Sequence, residues 1–228
     1  MFNFQIRHMV YLTLLMLGAH SQIAQALLIR ESLVVFYGNE VSLGAFFGSW
    51  LLWIAIGSAS VVVMREWAWT QRPLPVVRVL LLALPVLLAL QILATRLARL
   101  FLNVSSTEFV PLGELFLAIF VITLPTSLSV GIAFPLACKI LQESSVSPNP
   151  SGAVQAISYL YLVEALGALL GGVLFTFILI EWLGVWRSVG VVALFLAITA
   201  FFLSDRRSWK VVTLTLGGLG LLLAATPL

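Results

Sequence analysis

Charge is scarce in this chain. Lys, Arg, Asp and Glu make up 9% of its 228 residues, whereas an ordinary soluble domain carries roughly 25%. Hydrophobic residues make up 61% and the mean hydropathy is +1.12. So apolar a chain has too little polar surface to dissolve, and the bilayer is its expected solvent. Cysteine is almost absent. Cys138 stands alone, which excludes an intramolecular disulfide and any CxxC metal or haem motif. With only His8 and His20, histidine is too sparse for an elaborate metal site. There is no P-loop, HExxH or GxSxG run, and no thiol–histidine pair able to face one another. Basic residues sit at the expected membrane interfaces instead of in an aromatic-interleaved patch, so nucleic acid is not an expected partner. Neither a catalytic residue, a cofactor nor a metal is expected.

What remains is a series of long apolar runs, and the expected fold is all-α: a polytopic bundle of about seven transmembrane helices forming one domain over 1–228. The first, 9–30, is too long for the h-region of a cleavable signal and is read as a retained helix. Gly18, Ser21, Gln22 and Gln25 share one of its faces at helical spacing. Such residues commonly serve as interhelical glue. His20 points the other way and is read as a packed, neutral imidazole. The second helix, 41–64, carries Gly44, Gly48, Ala55 and Ala59 as a small-residue packing face. Trp67 and Trp69 follow at interfacial depth, and the third helix, 74–95, is expected to bend at Pro85.

The fourth segment, 109–141, is the most irregular, with Pro111, Pro125 and Pro135, Gly131 between the last two, and Thr126, Ser127 and Ser129 nearby. Proline removes a backbone donor, and freed carbonyls inside a bilayer must be satisfied by protein or water. Pro125, Gly131 and Pro135 are therefore expected to break this helix, as transporters break helices to expose backbone dipoles to a substrate. An ordinary proline-kinked helix is the alternative. The loop 142–152 is polar.

The chain is expected to centre on the fifth helix, 154–180. Its run SYLYLVEALGALLGGVLFT, residues 158–176, holds one carboxylate, Glu164, beside the GxxxG pair Gly167 and Gly171. That pair lets another helix backbone approach closely. A lone carboxylate near the bilayer centre costs ~2.5–3.5 kcal/mol on insertion scales, so it needs either protonation or donors. Ser21, Gln22 and Gln25 of the first helix are its expected partners, with Thr126 and Ser127 as second choices. Helices at 185–203 and 211–226 complete the set. The last, at about 15 residues, spans only ~22 Å, short of the ~30 Å apolar core.

Orientation follows from the basic residues. With the N-terminus inside, seven crossings put Arg7, Arg65, Arg72, Arg78, Lys139, Arg206, Arg207 and Lys210 on the cytoplasmic side. Arg30, Arg96, Arg99 and Arg187 fall outside. The short cluster Arg206, Arg207 and Lys210 suits anionic lipid headgroups.

Four ordered blocks carry a family resemblance: ALLIRESLVVFYGNE (26–40), GSWLLWIAIGS (48–58), GIAFPLA (131–137) and SYLYLVEALGALLGG (158–172). Together they resemble the membrane domain of fused spermidine synthase-like proteins. The resemblance implies a bacterial inner-membrane helical domain, often compared with half of a major facilitator transporter. It also implies a cytoplasmic aminopropyltransferase-like domain following it. No signature of that enzyme lies within these residues: Gly217, Gly218 and Gly220 sit in an apolar run, not after a strand, and read as packing glycines. Either an eighth helix and the enzyme follow beyond Leu228, or the membrane domain stands alone.

Two functions are therefore expected from different classes. One is a transporter-like or small-molecule-binding domain for a polyamine or another cation. The other is a structural anchor or accessory subunit of a larger membrane complex. A carrier of the two-halved type needs a homodimer or a hetero-oligomeric partner, and a separately encoded soluble enzyme is a further expected partner.

Overall fold

The computed structural model describes residues 2–38, 40–105, 108–144 and 150–203. All regular structure among them is helical: α1 (Phe2–Val35), α2 (Glu40–Val63), α3 (Pro73–Phe101), α4 (Leu112–Ser144), α5 (Pro150–Leu174), a π-helical segment (Phe175–Leu183) and α6 (Gly184–Phe202). Five helical stretches are long and apolar enough to cross a membrane. Their outer faces carry large apolar side chains, such as Val79, Val86, Leu90 and Leu97 along α3, which suits a lipid surround. The seventh expected helix, with Arg206, Arg207 and Lys210 before it, lies outside the described residues.

The longest stretch, Val154–Phe202, is 49 residues, ~73 Å if it were straight and far more than one bilayer needs. It is not straight. Gly184 has φ +68° and ψ −173°, a left-handed φ that glycine adopts without a Cβ penalty. The chain reverses there, so that Ser188 Oγ donates to Leu179 O at 3.1 Å, nine residues back. The π-helical turns before the corner widen the helix, and α6 returns along α3 and α1.

Cross-contacts fix the helix directions. Tyr11 meets Tyr159 edge-on at 5.4 Å, and Leu15 and Ala19 lie against Gly167 and Gly171. Numbers rise together, so α1 and α5 run parallel. Likewise Trp53 Nε1 donates to Phe120 O at 2.8 Å and Ser58 Oγ to Gly131 O at 2.9 Å, so α2 runs parallel to α4. α3 opposes α4, with Arg99 bonding near the start of α4 and Lys139 reaching Thr70 O at 2.8 Å near the start of α3. α1 is central, with Leu14, Leu17, Ala24, Leu27 and Leu28 wholly buried.

The expected break in the fourth segment is not there. α4 is continuous through Pro125 and Pro135. The reason is compensation from neighbouring helices. Pro135 cannot donate to Gly131 O, four residues back, and Ser58 of α2 donates to it instead. Pro125 frees Val121 O, and side chains of neighbouring helices hold the carbonyls on either side of it, Trp53 of α2 at Phe120 O and Gln91 of α3 at Ile122 O. Gly131 is a contact point and not a hinge: a Cβ there would strike the Ile54 carbonyl, and one on Gly57 would come within 2.5 Å of Leu128 O. Pro85 likewise lies inside an unbroken α3.

Candidate functional site

Polar groups inside a bundle of this kind fall into those the fold has tied and those it has left open. The tied ones gather at two levels. At the end shared by α1, α3 and the Gly184 corner, Arg96 makes a two-pronged bond to Glu31: Nε to Oε2 at 2.6 Å and Nη2 to Oε1 at 3.0 Å. Its guanidinium also lies 5.4 Å from the Trp186 ring centre. One turn on, Arg99 donates to Val35 O at 3.0 Å and Glu108 O at 2.6 Å, and also to Ser105 O. It stands 4.7 Å over the Tyr37 ring. These two arginines lock the ends of α1, α3 and α4 together.

Deeper in, between α3 and α4, Thr126 donates to Gln91 Oε1 while the Gln91 amide donates to Ile122 O. Thr95 and Ser127 turn back on their own helices, to Gln91 O at 2.7 Å and Thr123 O at 2.6 Å. All five side chains, Thr123 included, are buried. Each of these polar side chains has a partner within α3 and α4.

Glu164 belongs to the open class. It lies about ten residues inside the Val154–Phe202 stretch, hence ~15 Å deep at 1.5 Å per residue. Half-buried, it makes no hydrogen bond or ion pair among the described residues. The expected partners do not reach it. A Cβ on Gly18 would strike the Glu164 carbonyl, whereas Gln22 Cγ lies 3.4 Å from the Cβ position of Gly172. Gln22 therefore sits level with a turn roughly 12 Å farther along α5, and Ser21 and Gln25 donate nothing to the carboxylate. The physical reason is the glycine contact itself. Gly18, Gly167 and Gly171 bring the backbones of α1 and α5 together, and that fit sets the register in place of polar pairing. Thr126 and Ser127 are spent on the α3–α4 network. Gly44 and Gly48, expected to pack, have nothing within 4 Å of a Cβ and face outward on α2.

Gln22 and Gln25 are open as well. They line a groove of about 540 Å³ with Ile29, Arg30, Leu33 and Phe47. Gln22 also borders a second groove of about 380 Å³ with Ala168 and Gly172 of α5 and Thr176 of the π-helical segment. Neither glutamine amide makes a hydrogen bond among the described residues. His20 is 1% exposed, and neither ring nitrogen has a partner among the described residues. Sequence reasoning placed His20 on the far face of α1 from the glutamines but carried no sign that its neighbours leave both nitrogens unpaired. The Glu31–Arg96 clamp was missed too, because nothing local links residues so far apart. Among the described residues no group of three His, Cys, Asp or Glu side chains could hold a metal ion.

Fold and polar groups together define a helical bundle with the length and apolarity to span a membrane and, among the described residues, a half-buried carboxylate at mid-depth, Glu164, with no hydrogen bond or ion pair. No family model, curated protein or solved structure matches the chain.

Proposed function

We propose that this chain is a membrane-embedded, transporter-like domain that binds a small cation, with Glu164 as the binding group. One contrast carries the reading. Two carboxylates inside the described spans are not exposed: Glu31 is closed by Arg96, and Glu164 is left open. A carboxylate at bilayer depth is costly unless something positive meets it. A single carboxylate matches one positive charge, so the ligand class is a monovalent cation, a primary amine such as one end of a polyamine, or a proton. Pro125, Leu128 and Ser129 on the partly exposed side of α4 would border the path. The chain is not itself catalytic. In this reading it serves as the membrane domain of a spermidine synthase-like protein in a bacterial inner membrane, seven-helical and comparable to half of a major facilitator transporter, with a cytoplasmic N-terminus.

The test is binding of spermidine, and of Na⁺ as an alternative, to purified chain by isothermal titration. Wild type should bind one of them, and Glu164→Gln should lose that binding at least tenfold while keeping its melting temperature. Undiminished binding by the Gln variant, or no binding by wild type, refutes the assignment. Orientation is checked separately. In a Cys138→Ser background, cysteine at Gln71 should label only from the cytoplasm and at Asn39 only from outside.

A second reading, an accessory subunit that docks other proteins, draws on the outward-facing Gly44 and Gly48.

A further inference from the structure

With Glu164 read as the cation-binding group, we infer that its ligand is an alkylammonium ion and not an alkali-metal ion, with Tyr161 as the residue that selects for it. The ammonium N–H groups would meet the carboxylate while the charge and hydrocarbon body lie against the Tyr161 ring. Two contacts of α5 fix where Glu164 points. Gly167 packs on the Leu15 backbone of α1. Tyr161 meets Phe134 of α4, with ring centres 6.0 Å apart and planes at 88°. Three residues turn a helix by about 300°, so Tyr161, Glu164 and Gly167 stand about 60° apart in succession. Glu164 is therefore directed into the angle between α4 and α1. Cys138, one turn beyond Phe134 on α4, is close enough to feel its charge. Apart from the ring contact, α4 and α5 scarcely touch. The angle is left open, and Glu164 is half-buried in it with no hydrogen bond or ion pair among the described residues.

The walls of this angle select among cations. A desolvated alkali-metal ion needs a shell of oxygen ligands in place of its water. Here the walls are two aromatic rings and a thiol. Ser127, two turns before Phe134 on the same face of α4, is buried and turned back to Thr123 O at 2.6 Å. Such a lining is poor in oxygen. An ammonium group instead brings its own N–H donors to a carboxylate and is attracted to an aromatic face. Tyr161 is 66% exposed, and its perpendicular pairing with Phe134 leaves it ring surface to offer. Residues three apart on one helix are side-chain neighbours, so one cation reaches both Glu164 and Tyr161. A bare proton would satisfy the carboxylate but make no use of the rings. A lipid amine stays at headgroup level, whereas Glu164 lies ~15 Å deep, so the amine is a free one.

The experiment titrates the purified full chain in detergent with the chlorides of butylammonium, methylammonium and Na⁺. Butylammonium should bind about tenfold more tightly than methylammonium, as its added methylenes, partly shielded from water, allow. It should also bind more tightly than Na⁺. Tyr161→Leu should weaken butylammonium binding about three- to tenfold, whereas Tyr161→Phe, which keeps the ring and drops the hydroxyl, should not. Melting temperature shows whether each variant is folded, and the comparison of chain lengths on wild type needs no variant. Phosphatidylethanolamine added to the micelles should not compete. Na⁺ bound as tightly as butylammonium, with Glu164→Gln abolishing both, overturns the alkylammonium assignment and leaves Glu164 as a cation site. So does Glu164-dependent binding that is indifferent to Tyr161→Leu or to chain length, or that the lipid competes away. Absence of any Glu164-dependent binding removes the cation site itself, and its selectivity with it.

Discussion

Removing Arg96 should destabilise the bundle more than removing Glu31, although the two share one ion pair. The asymmetry comes from unequal burial: the Glu31 side chain is 10% exposed and that of Arg96 is 42%. Arg96→Leu strands a carboxylate that cannot reach water. Breaking a buried pair in this way costs about 3–5 kcal/mol when the remaining charge is fully enclosed, so about 3 kcal/mol suits this site. Glu31→Gln leaves a guanidinium that can turn outward toward headgroups and still lie over Trp186, a contact worth about 0.5–1 kcal/mol at such a site. Its cost should be about 1 kcal/mol. Replacing both with leucine removes the stranded charge and should recover most of the loss. The chain supplies its own reporter: Cys138 is buried and is the sole cysteine, so a thiol-reactive dye fluoresces as the bundle opens. Melting curves in one detergent should rank wild type above the double variant, then Glu31→Gln, then Arg96→Leu. Equal losses from the two single changes, or a double variant worse than either, would refute the burial argument.

Other outcomes follow from the same contacts. Gly131→Ala and Gly57→Ala should each cost about 1–3 kcal/mol by forcing α2 off α4, while Gly44→Ala and Gly48→Ala should leave melting unchanged; the same thiol assay separates them. Ser58→Ala should cost about 1 kcal/mol by orphaning Gly131 O, and less in a Pro135→Ala background, where residue 135 regains its own N–H donor. His20→Leu should be neutral or stabilising in melting, because it removes two unpaired buried nitrogens worth about 1–3 kcal/mol each. A large loss there would show that His20 has partners in the membrane.

Helix existence was readable from apolar run length, and helix ends were less so, for a reason visible at two places. The first and third helices were expected to end at 30 and 95, where charge begins. They run on to Val35 and Phe101 because Glu31, Arg96 and Arg99 are neutralised or capped by one another's helices. A charge pair between residues sixty-five positions apart leaves no trace in a local window. The same holds for α4. Its prolines announce missing donors, but the donor that replaces that of Pro135 comes from Ser58 of α2, and Trp53 and Gln91 on other helices hold the carbonyls beside the one Pro125 frees. Small-residue spacing is more ambiguous still. Gly167–Gly171 and Gly44–Gly48 have the same four-residue step, yet the first pair meets a backbone and the second meets open space. The pattern states that a helix can approach, not that one does.

The positive charges outside the expected cytoplasmic set bear on this point. Arg96 and Arg99, the apparent exceptions to the inward bias of basic residues, are tied to Glu31 and to backbone carbonyls of Val35, Ser105 and Glu108. They stitch helix ends together, and a cation occupied in this way offers little to a lipid headgroup. Arg30 differs: it is exposed and makes no ion pair among the described residues. The fold thus uses its paired charges to fix geometry at one end and leaves Arg30, Gln22, Gln25 and Glu164 uncommitted on its outer faces, besides the enclosed His20. Uncommitted polar groups are unfavourable in a bilayer unless something meets them. That these four lie on surfaces open to a neighbour or a ligand, while the structural polar groups are closed, is why function is sought at them and not at the prolines of α4.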